Sequence, residues 1–322
     1  MSVHPLPAPA TPAEAVRRFE LTLSRRIDGL LHGDHTGRLV GLGTEPGEAR
    51  PYAPGDDPRR IDWNVTARTR APHVRDTAAE HVLITWLVVD LTASLDFGTA
   101  RCTKRRLAET AAGALAVLAS RGGNQVGAVL LTSEGVVAIE PRAGHLHLMV
   151  LFHKLLSSPR ADGAGPDLGA ALGRLARPHI RPGLVVVVSD FPPAGTWHPA
   201  LRLVAARHET LAVEVLDPRE LELPDVGLLT VVDAETGEER DVATGDSGLR
   251  RRYAALARER REASATTLRG AGVDHLVLRT DRDAVADLVG WLAHRPDRLA
   301  AMRRARAAHP AGAGRRARTG VG

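Results

Sequence analysis

The sequence predicts an α/β fold built on a doubly wound, mainly parallel sheet. Three observations carry this. Runs at 81–91 (HVLITWLVVDL), 126–132 (VGAVLLT) and 184–191 (LVVVVSDF) are apolar with little alternation, the pattern of strands buried on both faces. Helical stretches separate these runs, and strands alternating with helices imply parallel pairing covered on both sides. Right-handed crossovers then wind the sheet in two directions.

The elements follow in order. Residues 1–10 are rich in Pro and Ala and are expected to form a disordered tail. Thr11-Pro12-Ala13-Glu14 reads as a helix start, with a hydroxyl cap, proline at the first helical position and a capping-box glutamate. Phe19, Leu23, Ile27 and Leu30 then share one face of a helix ending near Leu31. Residues 33–72 are rich in Gly, Pro and charge. Little regular structure is predicted there, and so long an irregular stretch in a compact domain points to function. From residue 81 a strand, a helix over 101–120, the strand 126–132 and a turn at Glu134-Gly135 into a third strand are expected. Helices at 143–157 and 167–178 precede the strand at 184. A helix near 198–208, the strand 211–216, a hairpin over 228–243, a helix over 247–269, the strand 275–279 and a last helix to 293 complete the chain. The organisation predicted is a tail (1–10), an N-terminal helix and irregular segment (11–80), an α/β domain (81–294) and an Arg-rich tail (295–322).

Composition narrows the class. Apolar residues are 43% and charged residues 25% of 322, an ordinary globular balance. Aromatics are 3%, so Leu, Val and Ala must build the core. The single cysteine, Cys102, excludes a disulfide framework within the chain, a CxxC pair and a thiolate zinc cage. The net charge is +5, but residues 295–322 contribute +7, leaving −2 for residues 1–294. The globular part is therefore not basic. Only two lysines, Lys104 and Lys154, stand against 41 arginines. The apolar stretches fall short of the roughly 20 residues a spanning helix needs, and no apolar segment follows Arg17 as in a secretion signal. A soluble cytoplasmic protein is the expectation.

In an open parallel sheet, ligands bind at the carboxyl ends of the strands near a switch in strand order. Asp90-Leu91-Thr92-Ala93-Ser94 follows the first buried strand, and Ser189-Asp190 follows VVVV. Two carboxylates with hydroxyls at one end of a sheet make a hard-oxygen set of the kind Mg²⁺ prefers. The plainer alternative is that both aspartates cap the turns that follow.

Asp90-x-Thr92-x-Ser94, with Asp190 after a later strand, resembles the metal-ion-dependent adhesion site of von Willebrand factor A-type domains. The run from Tyr52 to Thr69, holding Pro54-Gly55-Asp56-Asp57 and Arg59-Arg60-Ile61-Asp62-Trp63, is similar to the signature of the domain of unknown function 58 family. The stretches 185–191, 223–227 and 271–275 also resemble that family, and the likeness covers roughly residues 12–294. It implies a von Willebrand factor A-like fold. It also implies a non-enzymatic adaptor or co-chaperone encoded beside a MoxR-type AAA+ ATPase and acting on a client complex. Mg²⁺ would be held by Asp90, Thr92, Ser94 and Asp190, with an acidic partner side chain completing the shell. Two departures bear on this. Thr92 stands where the pattern has serine and keeps the hydroxyl. Pro166, in Ala164-Gly165-Pro166-Asp167-Leu168, stands where a coordinating threonine is expected and offers no ligand, while Asp167 is placed to cap the next helix.

Other motifs carry less. In the 52–70 segment, the aspartates and arginines around Trp63 could be a solvated cluster with the indole in the core. Our expectation is instead a fixed Asp–Arg network packed beside the 90–94 turn and shaping a partner surface. Gly245-Asp246-Ser247-Gly248 copies a serine-protease tetrapeptide, but it opens a helix, so Asp246 or Ser247 reads as a cap. His145 and His147 lack a third zinc ligand. No G-x-S-x-G elbow or phosphate-binding loop is present. Two other classes stay open: a metal-dependent hydrolase using the same carboxylates, which lacks an evident general base, and nucleic-acid binding through the basic tail.

Overall fold

The computed structural model describes residues 11–33, 49–53, 61–75, 82–159, 165–192, 196–233 and 236–294. Both predicted tails lie outside these, and with them the arginines on which nucleic-acid binding would rest. Helix α1 (Pro12–Gly33) is followed by the short strand β1 (Ala49–Pro51), helix α2 (Trp63–Thr69) and strand β2 (His73–Arg75). The α/β unit runs β3 (Ile84–Asp90), α3 (Lys104–Ser120), β4 (Gln125–Thr132), β5 (Gly135–Arg142), α4 (His145–Ser157), α5 (Leu168–Leu175), β6 (Leu184–Ser189), α6 (Trp197–Ala205) and β7 (Glu209–Leu216). It continues with β8 (Leu228–Val232), β9 (Glu239–Ala243), α7 (Ser247–Gly270), β10 (Asp274–Arg279) and α8 (Ala284–Ala293).

Six strands form the central sheet in the order β10-β7-β6-β3-β4-β5. All pairings are parallel except that of the edge strand β5, which returns antiparallel to β4. Every residue of β3 and β6 is buried, as their unbroken apolar runs require. Alternate residues feed two cores. Leu87, Val89, Val186 and Val188 pack with α1, α3, α4 and α8 on one face. Trp86, Val88, Val185 and Val187 pack with α5, α6 and Leu268 of α7 on the other. The middle of the sheet is therefore covered on both faces, and there only the strand ends are available for chemistry.

Helix α1 belongs to this unit, although the sequence placed it in a separate segment. Its Val16, Phe19, Leu23 and Ile27 join the first core. Phe19 meets Phe152 edge to face at 5.4 Å, and Gly113 of α3 leaves room for the Phe19 ring.

The irregular stretch predicted over 33–72 contains regular pieces. β1 pairs antiparallel with β2, and Asp62 starts α2 by accepting from the amides of Asn64 (3.1 Å) and Val65 (3.2 Å). No residue of α2 is buried. Trp63, at the first helical position, is 70% exposed, so placing its indole in the core is overturned. Residues 54–60, with Asp56, Asp57, Arg59 and Arg60 of the expected network, lie outside the described residues.

At the carboxyl end of the sheet the loops are tied by Asp217, which is wholly buried. Its carboxylate accepts from Thr99 N (2.9 Å), Thr99 Oγ1 (2.7 Å), Thr280 Oγ1 (2.7 Å) and Arg219 N (2.9 Å). It joins the loop after β3, the end of β10 and the turn that leads from β7 to the β8–β9 hairpin. Burial by itself would raise its pKa, but these donors outweigh burial and hold the carboxyl below its ordinary range. The resulting stabilisation is fully present above about pH 4, the ordinary Asp value, and fades as pH falls through the lowered folded value. Asp217→Asn should therefore cost about 2 kcal/mol at pH 7. Urea unfolding at pH 7 and pH 3 should show that difference closing in acid.

Candidate functional site

The first crossover runs from β3 to β4 on one side, while β6 lies on the other side of β3. The carboxyl ends of β3 and β6 thus flank the point where strand order reverses, the ligand position of doubly wound sheets. The β3–β6 register pairs Val89 with Val188, which sets Asp90 and Ser189 side by side as both strands end. Ser189 Oγ donates to Asp90 Oδ2 at 2.8 Å.

Beyond Asp90 the chain makes a 3-10 turn over Ala93–Leu95. Ala93 and Leu95 are buried and Thr92 and Ser94 half-buried, so the apolar residues pin the turn and the hydroxyls line its open side. The Thr92 amide (3.0 Å) and Oγ1 (2.7 Å) both donate to Asp90 Oδ1. Thr92 Oγ1 lies 3.3 Å from Ser94 Oγ. Buried Arg105 clamps the turn from behind, donating to the carbonyls of Leu91 (3.1 Å), Ser158 (2.8 Å) and Pro159 (2.8 Å).

On the β6 side, Phe191 turns the chain with a left-handed φ of 51°. Such a conformation costs a non-glycine residue of the order of 1 kcal/mol. Its amide donates to Ser189 Oγ at 3.1 Å, and its buried ring packs on Trp197 at 5.3 Å. This turn directs Asp190 into the site. Asp190 Oδ2 accepts from Lys104 Nζ at 2.9 Å, whereas its Oδ1 is buried and has no hydrogen-bond partner among the described residues. Lys104 also donates to Glu220 Oε1 at 2.5 Å and is itself 1% exposed. Burial, helped by the negative charge of Asp190, raises the Asp90 pKa against the pull of its hydroxyl donors. For Lys104, burial would lower the pKa, but Asp190 and Glu220 more than reverse this and hold the ammonium charged.

Of the four residues singled out in the sequence, Asp90, Thr92 and Ser94 are hydrogen-bonded in one turn after β3, while Asp190 follows the neighbouring β6 and bonds Lys104 instead. The set fits a hydrated divalent cation. Its chemistry is that of a hard-oxygen ligand set, two carboxylates and two hydroxyls, and Asp190 Oδ1 has no hydrogen-bond partner among the described residues. Pro166 adds no oxygen. Asp167 caps α5 through Ala170 N at 3.2 Å and also accepts from the Thr196 hydroxyl, so it does not replace the missing threonine.

Lys104 and Glu220 were not singled out as site residues in the sequence. Lys104 had a usable signal: it is one of two lysines in the chain and the first residue of α3, where the helix dipole disfavours a cation. The discounted motifs settle into local roles. Asp246 caps α7. His145 lies 3.3 Å from Glu20, and His147 bonds the Val126 carbonyl at 2.8 Å. Among the described residues, no group of three or more His, Cys, Asp or Glu is placed to hold a metal. No helix among them is long and apolar enough to cross a membrane.

An open six-stranded sheet of this order, parallel but for one edge strand, defines a doubly wound α/β domain. The model of the family described as "Protein of unknown function DUF58" matches residues 48–263, and the chain belongs to that family. It is 49% identical over 284 residues to an uncharacterized protein of Mycobacterium tuberculosis, covering 88% of this chain and 89% of that one. A Mycobacterium avium protein, also uncharacterized, is 42% identical over 158 residues, 49% of this chain and 93% of its own. Among solved structures, the conserved hypothetical protein BatB of Bacteroides thetaiotaomicron aligns with a TM-score of 0.40 at 11% identity, over 68% of this chain and 99% of that one. The SpRpn10 VWA domain aligns at 0.38 and 12% identity, over 65% and 95%.

The loop carrying Pro166 lies directly on the site. A Cβ on Gly165 would fall 2.4 Å from Thr92 Cγ2 and 2.9 Å from Thr92 Cβ. Gly165→Ala should displace Thr92 and lower stability by about 1 kcal/mol. Gly173→Ala, inside α5 with nothing within 4 Å of the added methyl, should be neutral or stabilising in the same urea series.

Proposed function

We propose that the chain is a non-enzymatic adaptor that binds a protein partner at the carboxyl end of its sheet through a Mg²⁺-assisted contact. The observation that supports this most is the placement of Asp90, Thr92, Ser94 and Asp190 at two neighbouring strand ends, with Asp190 Oδ1 buried and without a partner among the described residues. Asp90 and the two hydroxyls would hold the ion directly and Asp190 directly or through water. A bound Mg²⁺ supplies a Lewis-acidic position for a carboxylate. The chain's own residues do the rest. Ser189 and Thr92 fix the Asp90 carboxylate, Arg105 holds the hydroxyl turn, and Phe191 aims Asp190.

The surroundings suit a protein partner. The β8–β9 hairpin rises from the same end of the sheet and exposes Leu228, Val231 and Val232. Exposed apolar side chains rimmed by polar residues are a usual mark of an interaction surface. The partner proposed from the family resemblance is a MoxR-type AAA+ ATPase that remodels a client complex, acting in the cytoplasm.

Affinity capture of the full-length protein with Mg²⁺, with chelator and with Asp90→Ala tests this reading. An AAA+ ATPase should be recovered with Mg²⁺ and the intact site, and recovery should fall at least about tenfold with chelator or the variant, the equivalent of ~1.4 kcal/mol. Equal recovery in all three would retire the ion and keep the adaptor role. No ATPase under any condition would overturn the proposed partner.

A further inference from the structure

We infer that Lys104 is a built-in counter-cation of the site, and that its ammonium sets how weakly the Asp90–Asp190 pair holds a divalent ion. The inference rests on the metal-assisted reading above and goes beyond it by assigning a residue outside the ligand set.

Lys104 begins α3, at the positive end of the helix dipole, and is 1% exposed. Both features disfavour an ammonium there, and lysine is rarely buried so completely without a partner. What holds it is a pair of carboxylates, Asp190 Oδ2 at 2.9 Å and Glu220 Oε1 at 2.5 Å. The ammonium therefore occupies one side of a carboxylate whose other oxygen, Oδ1, has no donor among the described residues. It does two things. It orients Asp190, and it places a fixed positive charge on a group that would bind a dication. Two cations sharing one carboxylate repel each other, and at a buried position water screens this poorly. Glu220 offsets part of the charge and ties Lys104 to the 217–220 turn, where its Oε2 accepts from Asp217 N at 2.9 Å. The site is thus formed before any ion arrives, and weak binding of the ion follows from the same contact.

The test is calorimetric titration of full-length protein with Mg²⁺ and Mn²⁺, alongside thermal melts with each metal. The variants are Lys104→Met, Lys104→Arg and the double variant Lys104→Met with Glu220→Gln. Lys104→Met should bind Mg²⁺ about tenfold or more tightly than wild type and gain more in melting temperature from it. Lys104→Arg keeps the charge and should stay near wild type, and adding Asp90→Ala should abolish binding in each background. If Lys104→Met does not fold, the double variant still removes the ammonium that shares the Asp190 carboxylate and should bind Mg²⁺ more tightly than wild type, by a smaller factor because the offsetting charge of Glu220 is lost with it. Binding no tighter than wild type in both charge-removing variants would overturn the role of Lys104 and leave the metal site standing. Absence of Mg²⁺ and Mn²⁺ binding in wild type and all lysine variants at millimolar metal would overturn both.

Discussion

Parallel pairing of β3 with β6 in the middle of the sheet is the constraint on which the site depends. Both strands are buried along their whole length, so their backbone groups must pair with neighbours and their side chains must fill two cores. That fixes the register, and the register ends both strands at the same level. Asp90 and Ser189 then lie side by side, with Asp190 one residue further on. Two acids are brought together because the apolar runs preceding them have nowhere else to go.

Bringing two acids together is unfavourable, and the surrounding residues offset it in layers. Hydroxyls of Thr92 and Ser189 and the Thr92 amide serve Asp90, while the ammonium of Lys104 serves Asp190. Asp217 performs the same task for the neighbouring loops, with four donors on one buried carboxylate. The end of the sheet is therefore a connected polar layer above an apolar sandwich. In such a layer each member is positioned by its partners and an incomplete member stands out. Asp190 Oδ1 is such a member.

Most of the architecture was legible in the chain. The unbroken runs at 184–189 and 84–90 could only be buried strands, and Asp246, Asp167 and Thr11 marked helix starts correctly. The candidate ligands were legible because each directly follows a buried strand, where topology alone assigns it to the ligand-binding end. The segment over 33–72 was less transparent. Helix α2 has seven residues with two threonines and a valine among them, so propensity is weak, and only the Asp62 cap announced it. Trp63 decides against the plainer alternative of an indole in the core, because a short helix without a buried face leaves it in solvent.

The sequence by itself determined the strands and helices of the α/β unit, the sheet class and the four candidate residues at its strand ends, because these follow from local patterns of apolarity and from what stands next to a strand end. Only the tertiary structure decided that α1 completes the first core and that Lys104 reaches Asp190 across 86 residues and Glu220 across 116. The physical reason is that hydrophobic periodicity is written along the chain, whereas the pairing of a buried charge is settled by which loops the folded sheet brings to the same end.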